Sequence, residues 1–231
     1  MSEVMLHQTQ VARVAAVWAE YIARFPDPQS MAASGLDEVI AAWGRLGYPR
    51  RARRLWEASV RITDAGWPDD LAELPGVGRY TARATVCQAD DVDLAAVEVN
   101  IRRVLERVTG RQLTDREAED ASLEVGRPLH GRDRLLALMD LGAIVCKARE
   151  PRCADCPLRR RCATRGPLPH EATRRRQAPF AGSFRQRRGA VMARLRSGPA
   201  PADELDAEAL ASLVADGLAE RSGRRARLAR S

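Results

Sequence analysis

Four of the five cysteines in this 231-residue chain, Cys146, Cys153, Cys156 and Cys162, fall within one stretch of seventeen residues as C-x6-C-x2-C-x5-C. The loop between them carries proline and arginine and offers no apolar burial, so four stray core thiols or a disulfide pair fit it poorly. Four thiolates at this spacing can converge on one metal centre, either an iron–sulfur cluster or a tetrahedral zinc. Lys147, the only lysine, and Arg149, Arg152, Arg159, Arg160 and Arg161 surround them. Cys87 stands apart inside an apolar helical run and reads as a small buried residue. No secretory leader precedes these motifs, and thiols kept reduced as ligands fit a cytosolic protein.

The formal net charge is +7. No apolar run reaches eighteen residues, so the basicity points to a nucleic acid before a membrane. Aromatics make up 4% of the chain, too few for a stacking platform.

A second constraint lies upstream. Leu74-Pro75-Gly76-Val77-Gly78 is a turn, followed by a helical run from Tyr80 and then by Glu98, just ahead of another helix. Two glycines in three positions imply positive φ or close backbone approach. Amides at such a turn, Gly76, Val77 and Gly78, can hold a phosphate oxygen. From Asn100, Ile101, Val104, Leu105 and Val108 recur at i, i+3, i+4, i+7, with Asn100 placed as the N-cap.

Elsewhere the periodicity predicts helices at about residues 1–12 (Ser2 as cap), Val14–Arg24, Leu36–Leu46, Tyr48–Ala65, Pro68–Leu74, Thr114–Gly126 and Asp133–Cys146. The last should turn Leu135, Leu138, Met139 and Ile144 inward. Phe25-Pro26-Asp27-Pro28 and Gly66-Trp67-Pro68 read as turns, and Val60 or Ile62 as core. Strand-like alternation is lacking over most of the chain, so the expected class is all-α. Residues 169–183, with Arg174-Arg175-Arg176, read as a linker. Beyond it, helices at Arg185–Ser197, Ala202–Asp206 and Ala207–Glu220 and a basic strand-like Arg224–Ala229 suggest a winged-helix-like module over 184–231.

The turn, the carboxylate and the cysteine loop occur in the order found in the helix-hairpin-helix, endonuclease III-like DNA glycosylases. Within that superfamily, SEVMLHQTQVARV, WGRLGYPRRARRL and LMDLGAIVCKAREPRC resemble three segments of the MutY-type adenine glycosylases. The similarity covers residues 1 to about 165. It implies a six-helix barrel with the hairpin (1–97), a [4Fe-4S] cluster domain (98–168) and a DNA-facing cleft between them.

The resemblance also implies roles. Glu3 falls on the general acid that protonates adenine, Gln8 on a wedging glutamine, and Tyr48 on a tyrosine inserted beside the lesion base. Tyr80 and Asn100 fall near the scissile sugar, and Glu98 on the catalytic carboxylate. His7 stands where the family has glutamine, in the segment that meets DNA. Taken alone, Glu3 reads as a first-turn helix acid, Tyr48 as half-buried core, and His7 as a surface imidazole. Asn100 is as well explained as a cap, and Glu98 as an exposed carboxylate.

The chemistry itself asks for two acids. A base must leave the duplex before its glycosidic bond is reached. One group then protonates the leaving base while a carboxylate faces the cationic sugar. Val4, Met5 and Leu6 could desolvate Glu3 and raise its pKa.

The expected activity is therefore removal of adenine opposite 8-oxoguanine or guanine from double-stranded DNA. Lyase members carry lysine where this chain has Tyr80, so no strand cleavage is expected. The alternatives are a G/T or G/U mismatch glycosylase, or a DNA-binding relative with impaired catalysis. Four departures bear on this: glutamate at 98 where the superfamily has aspartate, His7 in place of the first of two family glutamines, an N-terminal helix of the family that is missing ahead of Glu3, and a C-terminal segment too short for a Nudix-like domain. A monomer acting at the nucleoid, with no membrane partner, completes the expectation.

Overall fold

The computed structural model describes residues 1–173 and 179–231. Arg174, Arg175 and Arg176 of the expected linker lie outside the described residues. The chain divides into two compact units, residues 1–77 with 177–231, and residues 78–176. The sequence boundary after Val97 falls inside the second unit, between two of its helices.

The first unit opens with α1 (Ser2–Leu6), α2 (Val11–Arg24), α3 (Pro28–Ala33), α4 (Leu36–Trp43) and α5 (Arg50–Ala65). Ser2 is the first helical residue of α1 and not its cap, which is Met1. α3, which the periodicity did not predict, starts at Pro28, the last residue of the turn Phe25-Pro26-Asp27-Pro28. Pro28 sits at its first position, where the missing N–H costs nothing, and Asp27 with Ser30 closes a reciprocal cap. The expected helix Pro68–Leu74 is only a 3-10 turn, Leu71–Glu73, capped by Asp70 and stopped ahead of Pro75.

The C-terminal residues of this unit form α10 (Phe184–Arg196), α11 (Ala207–Ala215) and three short strands, β1 (Ala200–Pro201), β2 (Ala219–Ser222) and β3 (Arg225–Leu228). The sheet is antiparallel in the order β1-β3-β2, so the chain is helical but not wholly α. The expected helix Ala207–Glu220 breaks at Gly217, which takes a φ of 63° while Leu218 N–H donates back to Leu213 O. Val191, Met192, Leu195, Leu210 and Leu213 share one continuous core with Val4, Met5, Tyr21, Ile40 and Trp43. The C-terminal segment is thus packed into the first unit rather than appended to it. Leu36 N–H donates to Arg230 O, and Arg53 to Asp216 O.

The second unit contains α6 (Arg79–Asp90), α7 (Val99–Thr109), α8 (Asp115–Val125) and α9 (Gly131–Asp140), which continues into a π-helical segment, Leu141–Val145. Its core is Ala84, Cys87, Ile101, Leu105, Leu135 and Leu138. Ile144, expected inward, is 52% exposed. The stretch from Pro169 that composition assigns to the linker begins as a 3-10 turn, Pro169–Thr173, bound to α7 by the ion pair of Glu171 with Arg107 and by the contact of His170 Nε2 with Glu106 Oε2 at 3.2 Å.

Candidate functional site

Glu98, not Asn100, is the N-cap of α7. Its backbone is extended, and its longer side chain still reaches the helix. Ile101 N–H donates to Oε1 at 2.8 Å, and Asn100 Nδ2 donates to Oε2 at 2.9 Å. Both carboxylate oxygens are therefore aimed by the first turn of the helix, whose free amides favour negative charge. Asn100 is held in turn: Arg103 Nη2 donates to its Oδ1 at 3.0 Å, and the same nitrogen donates to Gly142 O at 2.7 Å. Arg103 Nε donates to Cys146 O at 2.8 Å. A chain of donors thus runs from the first cysteine of the loop to Glu98. Gly142 packs hard on Asn100; a Cβ there would lie 2.9 Å from Asn100 Cβ and from its carbonyl oxygen. Tyr80, second residue of α6, is partly buried against the same core.

All four loop cysteines line one pocket, with Val104, Val108, Leu141 and Val145 as its apolar wall. None forms a disulfide. Among the described residues no three Cys, His, Asp or Glu side chains converge tightly enough to hold a single ion. Arg107, 1% exposed, is the pocket's internal cation. It donates to Cys146 Sγ at 3.4 Å, to Lys147 O and Ala148 O, and to both oxygens of Glu171. Burial by itself would lower the guanidinium pKa, but the hydrogen bonds to Glu171 and Cys146 raise it above its ordinary value. Four free thiols, an apolar wall and a fixed buried cation suit an anionic thiolate-ligated group. Cys87 is fully buried in α6, where desolvation pushes its thiol up.

In the first unit Glu3 is buried (8% exposed) on the five-residue α1, beside Val4 and Met5. The Met1 amino group nearby is pulled down by burial, with Glu3 opposing. The residue that organises this region is one that sequence reasoning missed. Arg51 Nη1 donates to Val4 O (2.9 Å), Met5 O (3.0 Å) and His7 O, the carbonyls that end α1. Its Nη2 donates to Thr9 Oγ1 (2.8 Å) and Gly47 O (3.2 Å), tying α1 to the loop before α5. The guanidinium stacks over the Trp43 and Tyr48 rings at 5.3 and 5.2 Å.

Gln8 and Tyr48 hang from this anchor. Both have left-handed backbones, φ 54° and 48°, rare for residues other than glycine. Both are exposed, Tyr48 by 44%. With His7 they line a groove of about 1010 Å3. His7 is half-buried, and its imidazole is held below its ordinary pKa by desolvation and then by Arg51, with Glu3 opposing. In the hairpin turn, Gly76 has φ 76°, and a Cβ there would lie 2.6 Å from Arg54 Cβ, so both reasons for glycine apply. Val77 N–H donates to Leu74 O. Gly78, an exposed residue, caps α6, and nothing of the described residues lies within 4 Å of where a Cβ would stand.

The structure thus gathers Glu98 with Asn100, the four cysteines with one another, and Gln8, Tyr48 and His7 on one groove. Glu3 and Glu98 belong to different units.

The model of the HhH-GPD superfamily of base excision DNA repair proteins matches residues 1–128. An adenine DNA glycosylase of Mycolicibacterium smegmatis is 40% identical over 246 aligned positions, spanning 96% of this chain and 83% of that protein. Among solved structures, a thermostable thymine-DNA glycosylase superposes with a TM-score of 0.64 at 25% identity, over 70% of this chain and 80% of the other. A trapped endonuclease III–DNA covalent intermediate gives 0.63 at 27%, with the same coverage. The chain belongs to the adenine DNA glycosylases of the HhH-GPD superfamily.

Proposed function

We propose that this chain hydrolyses the N-glycosidic bond of adenine mispaired with 8-oxoguanine or guanine in duplex DNA, without cleaving the strand. The observation that carries the reading is Glu98, whose two oxygens are fixed at the start of α7 by the Ile101 amide and Asn100. A carboxylate so held can face a sugar that becomes cationic as the base departs, at no reorganisation cost. Glu3, buried beside apolar side chains, is the acid that protonates the leaving adenine. Gln8 and Tyr48 enter the duplex at the flipped pair, and the turn at Gly76-Val77-Gly78 takes a backbone phosphate. Water attacks the sugar, because Tyr80 holds the place where a lysine would form a Schiff base, and Lys147 lies in the cysteine loop.

In this reading Cys146, Cys153, Cys156 and Cys162 hold a [4Fe-4S] cluster whose part is to pin the loop and present its arginines to phosphates. The donor chain through Arg103 then connects a pinned loop to the orientation of Asn100 and Glu98. Six helices of a barrel, a cluster domain and a C-terminal winged-helix-like segment complete a monomer working at the nucleoid. Among the described residues no helix is long and apolar enough to cross a membrane.

The test is a panel of duplexes differing in one pair, incubated with the protein and then treated with alkali. Cleavage at adenine opposite 8-oxoguanine or guanine is expected, none without alkali, and no covalent adduct with borohydride. Excision of thymine or uracil opposite guanine instead would favour the second reading, which the thymine-DNA glycosylase match brings in. A brown protein with a charge-transfer band, lost in Cys146→Ser, reports the cluster; a colourless, zinc-loaded protein would remove it from the reading.

A further inference from the structure

The groove that Gln8 and Tyr48 line has α10 as its other wall, and this second wall has no role in the activity described above. Along α10 the groove residues Arg185, Gly189, Ala193 and Arg196 recur at helical spacing, so they share one face. The two between the arginines are small and leave a channel along the helix. Arg13 and Arg45 line the groove from the α2 side and from the loop before α5. No Asp or Glu lines it among the described residues.

These cations differ in what they already hold. Arg51 is committed to the carbonyls of α1. Arg188 is bound to Asp216 at 2.6 Å, and Arg50 lies 3.7 Å from the same carboxylate. Arg13, Arg45 and Arg196 have no carboxylate partner among the described residues. Arg196 Nε is buried with no hydrogen-bond partner among them. Desolvation, and then the charge of Arg45, lowers the Arg196 pKa, so the two guanidiniums feel one another. A pair of like charges lining one groove with no carboxylate beside them is the arrangement that a phosphate oxygen offsets.

We propose that Arg45 and Arg196 clamp the sugar-phosphate backbone of the DNA strand that carries the oxidised or mismatched base, making α10 and the C-terminal segment one wall of the DNA site. The proposal rests on the reading that Gln8 and Tyr48 enter the duplex beside that base. A continuous strand, rather than a free anion, is the occupant because the channel extends along α10 from Arg196 to Arg185 and opens at the two residues with left-handed backbones.

The experiment uses the full chain and a labelled duplex with one adenine·8-oxoguanine pair, read by fluorescence anisotropy across a salt series. Arg45→Glu combined with Arg196→Gln should weaken binding about 30-fold and make the salt slope shallower by about two. Arg45→Glu alone, at an exposed position where folding is not at risk, should make it shallower by about one. Uncharged methylphosphonates flanking the 8-oxoguanine should weaken binding of the parent about tenfold, and of the double variant hardly at all. The same replacement beside the adenine should weaken both alike. An unaltered salt slope in both variants overturns the clamp, as does an equal methylphosphonate loss in parent and double variant. The glycosylase reading fails separately, when the parent leaves no alkali-labile site in any duplex, a result that does not depend on the groove.

Discussion

The two units hold their acidic residues by opposite means. In the second, Glu98 caps an eleven-residue helix. The amides of the first turn and Asn100 aim the carboxylate, and Arg103 braces Asn100 against Gly142 O and Cys146 O. In the first, Glu3 rides on five residues, too few to sustain a helix alone. Val4 and Met5 seat it in the core, and one guanidinium, Arg51, gathers the carbonyls of Val4, Met5 and His7. One acid is positioned by its own backbone, the other by a side chain 48 residues further along the sequence. The difference teaches where each is vulnerable: the first unit through one residue, the second through a chain of them.

The largest effects should come from the acids themselves. Glu98→Gln keeps an oxygen to accept from Ile101 N–H but turns an NH2 toward Asn100 Nδ2, so melting should drop only by the few degrees that about 1 kcal/mol implies. Single-turnover excision should fall by about 1,000-fold, the scale of a lost electrostatic stabiliser. Glu3→Gln removes the proposed proton donor, an expected loss of about 100-fold. Equal, small losses for both would break the comparison, because neither carboxylate would then be touching the reaction.

Next comes the pair of supporting arginines. Arg51→Met leaves several carbonyls of α1 and its loop short of donors, about 2 kcal/mol, or roughly 5 °C in melting temperature. Excision should fall with it, because Glu3, Gln8 and Tyr48 all lose their anchor. Arg103→Met should cut excision about tenfold while the Glu98–Ile101 hydrogen bond stays. If Arg51→Met excised normally, α1 would be holding itself, and the contrast between the units would collapse.

How much of this was legible in the sequence depends on how local each cause is. The period of α7 and the spacing of the cysteines are local, and both could be read directly. The family segments placed Gln8 and Tyr48, but nothing in them announces left-handed backbones. Asn100 ranks high as an N-cap, yet Glu98 took the position because an extended backbone put its longer side chain within reach of Ile101 N–H. α3 was hidden because Pro28 reads equally as a turn residue and as a first helical residue. Ile144 was misplaced because Cys146 N–H donates to Leu141 O, five residues back, and this wider winding turns the following side chains off the α register. Arg51 stands among Arg45, Arg50, Arg53 and Arg54, and no local pattern says which guanidinium turns inward. The shared core of α10 and α11 with α1–α5 depends on contacts nearly two hundred residues apart, which composition does not carry.

The tight contact of Gly142 on Asn100 gives a smaller and sharper test of the second unit. Gly142→Ala puts a methyl group 2.9 Å from Asn100 backbone and side chain, where the helix must shift. A cost of about 1–2 kcal/mol follows. Excision should drop several-fold through Asn100 and Glu98, while duplex affinity, read by anisotropy, stays. A loss of affinity without a loss of rate would mean that this contact serves the fold and not the carboxylate.

The smallest effect distinguishes the units by acid. His7 is half-buried, and burial together with Arg51 depresses its pKa below the ordinary value near 6.5. As pH falls, the unfolded chain takes up this proton before the folded one does. The contribution to stability is therefore complete above the ordinary value and is lost as pH drops through it toward the depressed one. His7→Gln, which removes the titrating imidazole, should flatten that loss between pH 7 and pH 5. Hydrogen exchange should show the rescue on α1 and the loop before α5, and not on α7. Parallel acid profiles for parent and variant would mean that the neutral imidazole is not what the Arg51 cage protects. Protection gained on α7 instead would assign the acid sensitivity to the unit that holds its carboxylate by backbone.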